Sequence, residues 1–412
     1  MIRLHNIIFL FLLCISNYSL HAQIADSVFL SPSYSNQSFY SLSNGEVLNT
    51  DNTNWDLAFS IGPMSSSIRI NGGKYVELYN YHLGDTSSWN SINQNIINNL
   101  NQPLYNSDTS WSLGAFDLYQ TSPFDMGWGF YNMITHHVTG DSLYIIKTVN
   151  GNWKKLWIQN LAGGVYNFKY ANLDGTSQIT QVIDKNNYSG KNFIYYSLDN
   201  NMIEDREPIN TSWDITFTKY IALDMSMPYS VTGVLANAGI QVAKATQISS
   251  PLTYNNYNAH TFMTEMNTIG YDWKYYDMSL GYYVLSNDLC YFVRDNAGGI
   301  YRLVFLGFEG MSTGKIVFNI ESLSSTNSTN IVSNHSISIF PNPTLNNTNI
   351  VIDTQEEGEL IVFDISGKQI YQKSFYAGFN AYTFSAASLG KGIYIINTTI
   401  GGVNNQKKLV VY

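Results

Sequence analysis

An ordered set of sequence blocks occurs twice in this chain of 412 residues, and its fold must accommodate both copies. Phe39-Tyr40-Ser41-Leu42 leading to Trp55-Asp56-Leu57-Ala58-Phe59 returns as Tyr195-Tyr196-Ser197-Leu198 leading to Trp213-Asp214-Ile215-Thr216-Phe217. Trp128-Gly129-Phe130-Tyr131-Asn132-Met133 answers Trp273-Lys274-Tyr275-Tyr276-Asp277-Met278, and Leu143-Tyr144-Ile145-Ile146-Lys147 answers Leu289-Cys290-Tyr291-Phe292-Val293-Arg294. Each copy then runs through a Gly-containing turn (Asn150-Gly151, Gly298-Gly299), a strand (Lys154 to Gln159, Tyr301 to Leu306) and a closing strand (Gly164 to Tyr170, Gly314 to Ile320). A tandem duplication of a unit of about 130–150 residues, an ordinary domain size, explains the preserved order.

Both copies read as strands. Apolar and polar residues alternate in Ile215-Thr216-Phe217-Thr218 and in Lys315 to Ile320, with Gly and Asn between runs where hairpins need them. The composition agrees: 15% aromatic and only 12% charged residues favour strands over surface helices. The best helix candidate is Ser91 to Leu100, with Ser91 as N-cap and Ile92, Ile96, Ile97 and Leu100 on one stripe.

The two termini address the chain outward. Arg3, the apolar run Ile7 to Ile15 and the small Ala22 before Gln23 form a signal peptide over residues 1–22, too short to span a bilayer and read by the Sec translocon. A lipoprotein site at Cys14 is the alternative, and Leu13 stands where that site wants a small residue. Removal of the signal leaves Cys290 alone, so no disulfide forms within the mature chain and stability rests on burial. A net charge of −9 without a basic cluster argues against nucleic acid and anionic membranes as partners. Residues 323–335, rich in Ser, Thr and Asn, have linker composition.

Beyond them stand Phe340-Pro341-Asn342-Pro343, then Gly392-Ile393-Tyr394, then Lys407-Lys408-Leu409-Val410-Val411-Tyr412. This ordered set over residues 336–412 resembles the C-terminal sorting domain of the type IX (Por) secretion system. The resemblance implies an Ig-like β-sandwich read by the secretion machinery, with Pro341, Asn342, Pro343, Gly392, Tyr394, Lys407, Lys408, Leu409, Val410 and Val411 as the sorting signal. A regular β-edge with fixed turns would give a receptor a rigid surface.

Residues 33–322 resemble the HmuY-like haem-binding proteins. The likeness rests on Tyr40, Ser41, Gly45-Glu46-Val47, Trp55-Asp56 and Ile68-Arg69-Ile70-Asn71 in the first copy, and on Leu285-Ser286-Asn287, Tyr291 to Arg294, the Asn296 to Gly299 turn and Gly314 to Phe318 in the second. It implies an all-β architecture of two tandem domains, residues 23–187 and 188–322, displayed outside the cell. In the namesake members haem is held between two histidines. Here the position of one axial histidine is Tyr276, and its counterpart in the first copy is Tyr131. Tyr276, Met278 and His260 are therefore the candidate haem ligands. A competing account makes matched Tyr and Met residues parts of a shared core.

Other chemistry is thin. His136 and His137 with Asp141 suggest a metal, yet neighbours on a strand face opposite ways, which would bury one and solvate the other. Gly310-Met311-Ser312-Thr313-Gly314 fits a hydrolase nucleophile pattern but lies between strands rather than on a strand-to-helix turn, so Ser312 reads as a loop residue. Trp55 and Trp213 invite a sugar-stacking role, whereas Trp55-Leu57-Phe59 spacing predicts one core stripe, with Asp56 and Asp214 bonding neighbouring turns. The expected molecule is a non-enzymatic surface or secreted binder of a small apolar ligand, haem foremost; the alternative is an adhesive protein that presents loops to a partner.

Overall fold

The computed structural model describes residues 25–224, 227–323, 335–340, 342–344, 346–354, 356–400 and 403–412. The expected signal peptide, the interior of the linker and Pro341 lie outside the described residues. The chain is all-β, and it divides into two compact units, Met1–Thr326 and Asn327–Tyr412.

In the first unit the chain opens with β1 (Ala25–Phe29), β2 (Asn36–Ser41) and β3 (Gly45–Asp51). Next come β4 (Leu57–Ser60), β5 (Ile68–Ile70), β6 (Glu77–Asn80), β7 (Gly129–Asn132), β8 (His137–Gly140), β9 (Tyr144–Lys147), β10 (Trp153–Ala162), β11 (Val165–Asn172), β12 (Ile179–Asp184), β13 (Phe193–Ser197) and β14 (Met202–Glu204). The remaining strands are β15 (Ile215–Asp224), β16 (Met227–Ala236), β17 (Gln241–Ala245), β18 (Lys274–Asp277), β19 (Tyr282–Leu285), β20 (Cys290–Arg294), β21 (Ile300–Phe308) and β22 (Lys315–Ser322).

Two lobes emerge from the pairing, and they repeat one another strand for strand. The first stacks the sheet β14-β13-β4-β5 on a sheet that runs β12-β11-β10-β9-β6 and also carries β8 and β7. The second stacks β3-β2-β15-β16 on β1-β22-β21-β20-β17, with β18 and β19 as a separate hairpin. A bulge falls at the same place in both, after Ile158 in β10 and after Phe305 in β21. One core holds Leu57, Phe59, Trp128, Ile158, Phe168 and Tyr196; the other holds Val28, Tyr40, Phe217, Trp273, Tyr291 and Phe318.

The lobes therefore do not coincide with residues 23–187 and 188–322. β13, from beyond that boundary, pairs with β4, and β2 and β1 pair with β15 and β22. Residues 57–204 build the first lobe as one run, and the second lobe, built from residues 215–322, is closed by β1 to β3 from the start of the chain. The repeated blocks are exchanged between lobes: the Tyr-Ser-Leu strand of each copy pairs with the Trp-Asp strand of the other, β13 with β4 and β2 with β15.

Two local expectations differ as well. Ser91 to Leu100 is not a helix; Thr86–Ser91 and Gln94–Asn99 are 3-10 turns, because the Asp85 and Asn93 side chains accept the N–H of Ser87 and Asn95 and the chain extends again at Ile92 and Leu100. Trp55 does not share a stripe with Phe59. Leu57 and Phe59 face the first core, while Trp55 joins Ala58, Phe193 and Tyr195 on the other side, its indole N–H donating to Asn52 Oδ1 at 2.8 Å.

Closure of the second lobe rests on buried contacts of the opening strands. Tyr40 packs edge-on against Phe318 at 5.2 Å, and its hydroxyl donates to Asp26 Oδ2 at 2.6 Å. Tyr40→Ala is expected to cost about 3–5 kcal/mol in denaturant unfolding. Limited proteolysis should then cut within 215–322 before 57–204; the reverse order would refute closure by the N-terminal strands.

Candidate functional site

The second unit is a two-sheet β-sandwich. Its strands are β23 (His335–Phe340), β24 (Asn347–Thr354), β25 (Gly358–Asp364), β26 (Gln369–Phe375), β27 (Gly378–Ser385), β28 (Gly392–Ile400) and β29 (Val403–Val411), ordered β23-β24-β27 and β26-β25-β28-β29 around Ile350, Val362, Phe384, Ile396 and Leu409. β28 and β29 pair so that Gly392 faces Val411 and Tyr394 faces Leu409. Leu409 and Val411 point into the core, Val410 is half-buried, and Lys407 and Lys408 are exposed. The Tyr394 hydroxyl donates to Gly390 O at 2.8 Å, which secures the start of β28.

Asn342 binds the other edge of β29, although it lies far away in sequence. Its Nδ2 donates to Lys408 O at 2.6 Å and its Oδ1 accepts the N–H of Val410 at 2.9 Å. Thr344 continues the ladder: its N–H donates to Val410 O and its carbonyl accepts the N–H of Tyr412, both at 2.9 Å. The β-edge is thus occupied from Lys408 onward, and Asn342 and Thr344 form one structure with the terminal strand. Asn342 imitates a strand backbone, offering donor and acceptor with the spacing that a neighbouring strand would. Asn342→Ala should speed hydrogen exchange of the Val410 amide about tenfold, the scale of one net hydrogen bond; an unchanged rate would remove Asn342 from this role.

In the first unit the structure places Tyr276 and Met278 on the β18–β19 hairpin, 49% and 87% exposed. Their counterparts Tyr131 and Met133 occupy the β7–β8 hairpin, where Met133 is 62% and Ile134 90% exposed. The expectation that matched Tyr and Met residues build a shared core is overturned for Tyr276, Met278 and Met133, which are exposed, whereas Tyr131 is half-buried against the first core. Both hairpins turn the same way. Asn132 Oδ1 accepts from the N–H of Ile134 and Thr135, and Asp277 Oδ1 from Ser279 and Leu280, at 2.8 and 3.1 Å in each case. Each turn closes through a residue at positive φ, His136 (57°) or Gly281 (73°). The same four-residue turn therefore lifts Met133 and Ile134 in one lobe, and Met278 and Leu280 in the other, into solvent. Sequence reasoning missed Ile134, Leu280 and Phe130; the available signal was an apolar pair between a turn-capping Asn or Asp and a left-handed position.

His260 is engaged elsewhere: its Nε2 hydrogen-bonds the Tyr254 hydroxyl at 3.0 Å and its ring packs near Phe292. Tyr276 instead meets Tyr283 edge-on at 5.2 Å. The hairpin thus brings Tyr276 and Met278 together, whereas the recorded partners of His260 belong to another cluster. His136 and His137 are both exposed, contrary to the strand-alternation expectation, because His136 sits in the turn, where its Nδ1 bonds the Tyr131 hydroxyl at 2.7 Å. Ser312 occupies a 3-10 turn between β21 and β22, its hydroxyl donating to Glu309 O at 3.1 Å. Among the described residues no group of three His, Cys, Asp or Glu side chains is placed to hold a metal, and no helix is long and apolar enough to cross a membrane.

Lys274 anchors the second hairpin. Its ammonium donates to Thr232 O at 2.6 Å and lies 4.1 Å from the Trp273 ring centre and 4.6 Å from that of Phe308. Burial pushes its pKa down to about 7, against the pull of Asp272, which is paired with Lys244. The unfolded side chain titrates near pH ~10.4, so between about pH 7 and pH 10 the unfolded state binds the extra proton and stability rises with pH. The melting temperature should accordingly climb from pH 7 to 9, and Lys274→Met should flatten that rise; an equal rise in the variant would assign it to other groups.

Comparison with known proteins adds one firm result. Residues 338–412 match the family described as "Secretion system C-terminal sorting domain". No curated protein matches the chain. A solved structure described as "Biofilm associated protein - BSP domain" aligns over 96% of this chain and 67% of its own at 10% identity, with a TM-score of 0.18, too low to bear on fold or function. Asn342, Gly392, Tyr394 and the terminal strand all lie inside the matched segment. The tail is a type IX secretion sorting domain, and it directs this chain to the cell surface or the extracellular space.

Proposed function

We propose that the exported unit ending at Thr326 is a non-enzymatic surface protein that binds a macromolecular partner through its two hairpin tips. One observation carries the reading: the same side-chain-capped turn is built twice, and both times it holds methionine and a branched aliphatic residue in water. Leaving such side chains exposed forgoes about 1.5–3 kcal/mol of burial each. Clustered exposed apolar side chains favour contact surfaces, and methionine suits adaptable ones. Phe130 and Tyr282, both exposed, flank the two tips and supply aromatic contact area.

The HmuY-like resemblance supports a displayed binder, and haem is its narrower form. Tyr276 and Met278 share one accessible hairpin, which favours a surface haem site over one that includes His260. Two measurements separate these readings. Wild-type protein and the Ile134→Ser/Met278→Ser variant would be compared for proteins cross-linked at the surface of the producing cells. Partners lost in the variant support the tips, and full retention removes them. Haemin titration should give at most a weak, non-saturating absorbance change; a saturable Soret shift abolished by Tyr276→Phe would establish haem instead.

A further inference from the structure

A cavity of about 80 Å³ lies where the two lobes of the first unit meet. Its apolar walls come from both sides of the junction: Trp55, Trp111, Phe193 and Tyr195 from the first lobe, Leu235 and Ile221 from the second. Trp55 and Tyr195 meet edge-on at 4.8 Å, and Trp111 lies 6.0 Å from Phe193. These contacts fix the rings as walls. At the rim, Tyr105, Asp108, Lys219 and Ile221 are only half-buried, so the space opens toward solvent.

The polar atoms around the cavity are mostly spent. Arg69 is buried beneath it and donates to Ser107 O at 2.7 Å and Ser110 O at 2.8 Å, with Trp111 O and Leu113 O at 3.3 Å, so its guanidinium fastens the loop that carries Trp111. Asp108 Oδ2 accepts from the Leu223 N–H at 3.0 Å and from Asn267 at 3.2 Å. Lys219 donates to the Tyr75 hydroxyl at 2.8 Å. The Tyr220 hydroxyl differs: it is buried, it belongs to a cavity-lining residue, and among the described residues it has no hydrogen-bond partner. A buried hydroxyl without a partner costs about 1–3 kcal/mol, which an acceptor placed against it would recover.

We infer that this cavity is a binding site for a small neutral ring, or the ring end of a larger molecule, carrying one hydrogen-bond acceptor that meets the Tyr220 hydroxyl. Size limits what enters: at about 80 Å³ the cavity is smaller than the roughly 150 Å³ that encloses a benzene, so it takes one ring with part of it in the solvent opening, and nothing as large as haem. Charge sets neutrality. The rim carries both the Asp108 carboxylate and the Lys219 ammonium, so it selects neither sign of charge, and the Arg69 donors, already engaged by backbone carbonyls, are not available to an anion. Apolar rings supply the affinity, and the buried Tyr220 hydroxyl supplies the orientation.

The test uses the exported full chain with two probes, benzamide (ring and acceptor) and toluene (ring alone), followed by ligand-observed NMR. Benzamide should bind saturably at one site. Tyr220→Phe should weaken benzamide about tenfold and leave toluene unchanged, while Ile221→Trp at the rim should abolish both, with far-UV circular dichroism unchanged in each variant. Absence of saturable binding to folded wild-type protein would overturn the inference, as would Tyr220→Phe weakening both probes equally or neither.

Discussion

Asp56 and Asp214 hold the duplicated fold together where it is most exposed to failure. Asp56 is buried and accepts the N–H of Leu198 at 2.7 Å and of Val149 at 2.8 Å; Asp214 accepts the N–H of Leu42 at 2.8 Å. Each aspartate thus caps the Tyr-Ser-Leu strand that its own strand must find, across 142 residues in one lobe and 172 in the other. The backbone repeats the bond, with Asp56 N–H to Tyr196 O and Asp214 N–H to Tyr40 O. Burial pushes the Asp56 carboxyl up to about 6, while the backbone donors pull it back. A carboxylate in that position is stabilised only if the distant strand arrives, which makes strand closure and polar satisfaction one event.

That closure shapes everything around it. Because β1 to β3 complete the second lobe, the chain crosses between lobes twice, and the crossings bring polar groups to the junction. Asn71 donates to the carbonyls of Asn52 and Trp55, and Asn237 does the same for Asn210 and Trp213. A Cβ on Gly73 would stand 2.0 Å from Lys219 O, so glycine is required for the lobes to approach this closely. The aromatic cavity lies between these fastenings, and the hairpin tips, which take no part in closure, keep their apolar side chains in solvent.

The sorting tail applies the same device in smaller form. Asn342 and Thr344 complete the outer edge of the last strand, so a chain end that would otherwise fray becomes part of a ladder. Two marks that sequence reading treats as separate meet in one paired structure: Asn342 of the Pro-Asn-Pro motif is bonded to the basic-then-aliphatic terminal strand, with Lys407 and Lys408 facing outward.

Much of this was legible in the residues. Period-2 alternation and the low share of charged side chains determined an all-β chain, since alternation has one low-energy use on a pleated surface. The ordered motifs of the last residues determined the export address, and the repeated blocks determined that two similar lobes exist. What the sequence left open was which copy of a repeated strand pairs with which. Two near-identical strands have equivalent local preferences, and only packing over 142 or more residues distinguishes the partners. The same limit applied to Tyr276, Met278 and Trp55. Their side chains suit a core and a surface equally, and tertiary structure alone put the tryptophan in a wall and the methionine in water.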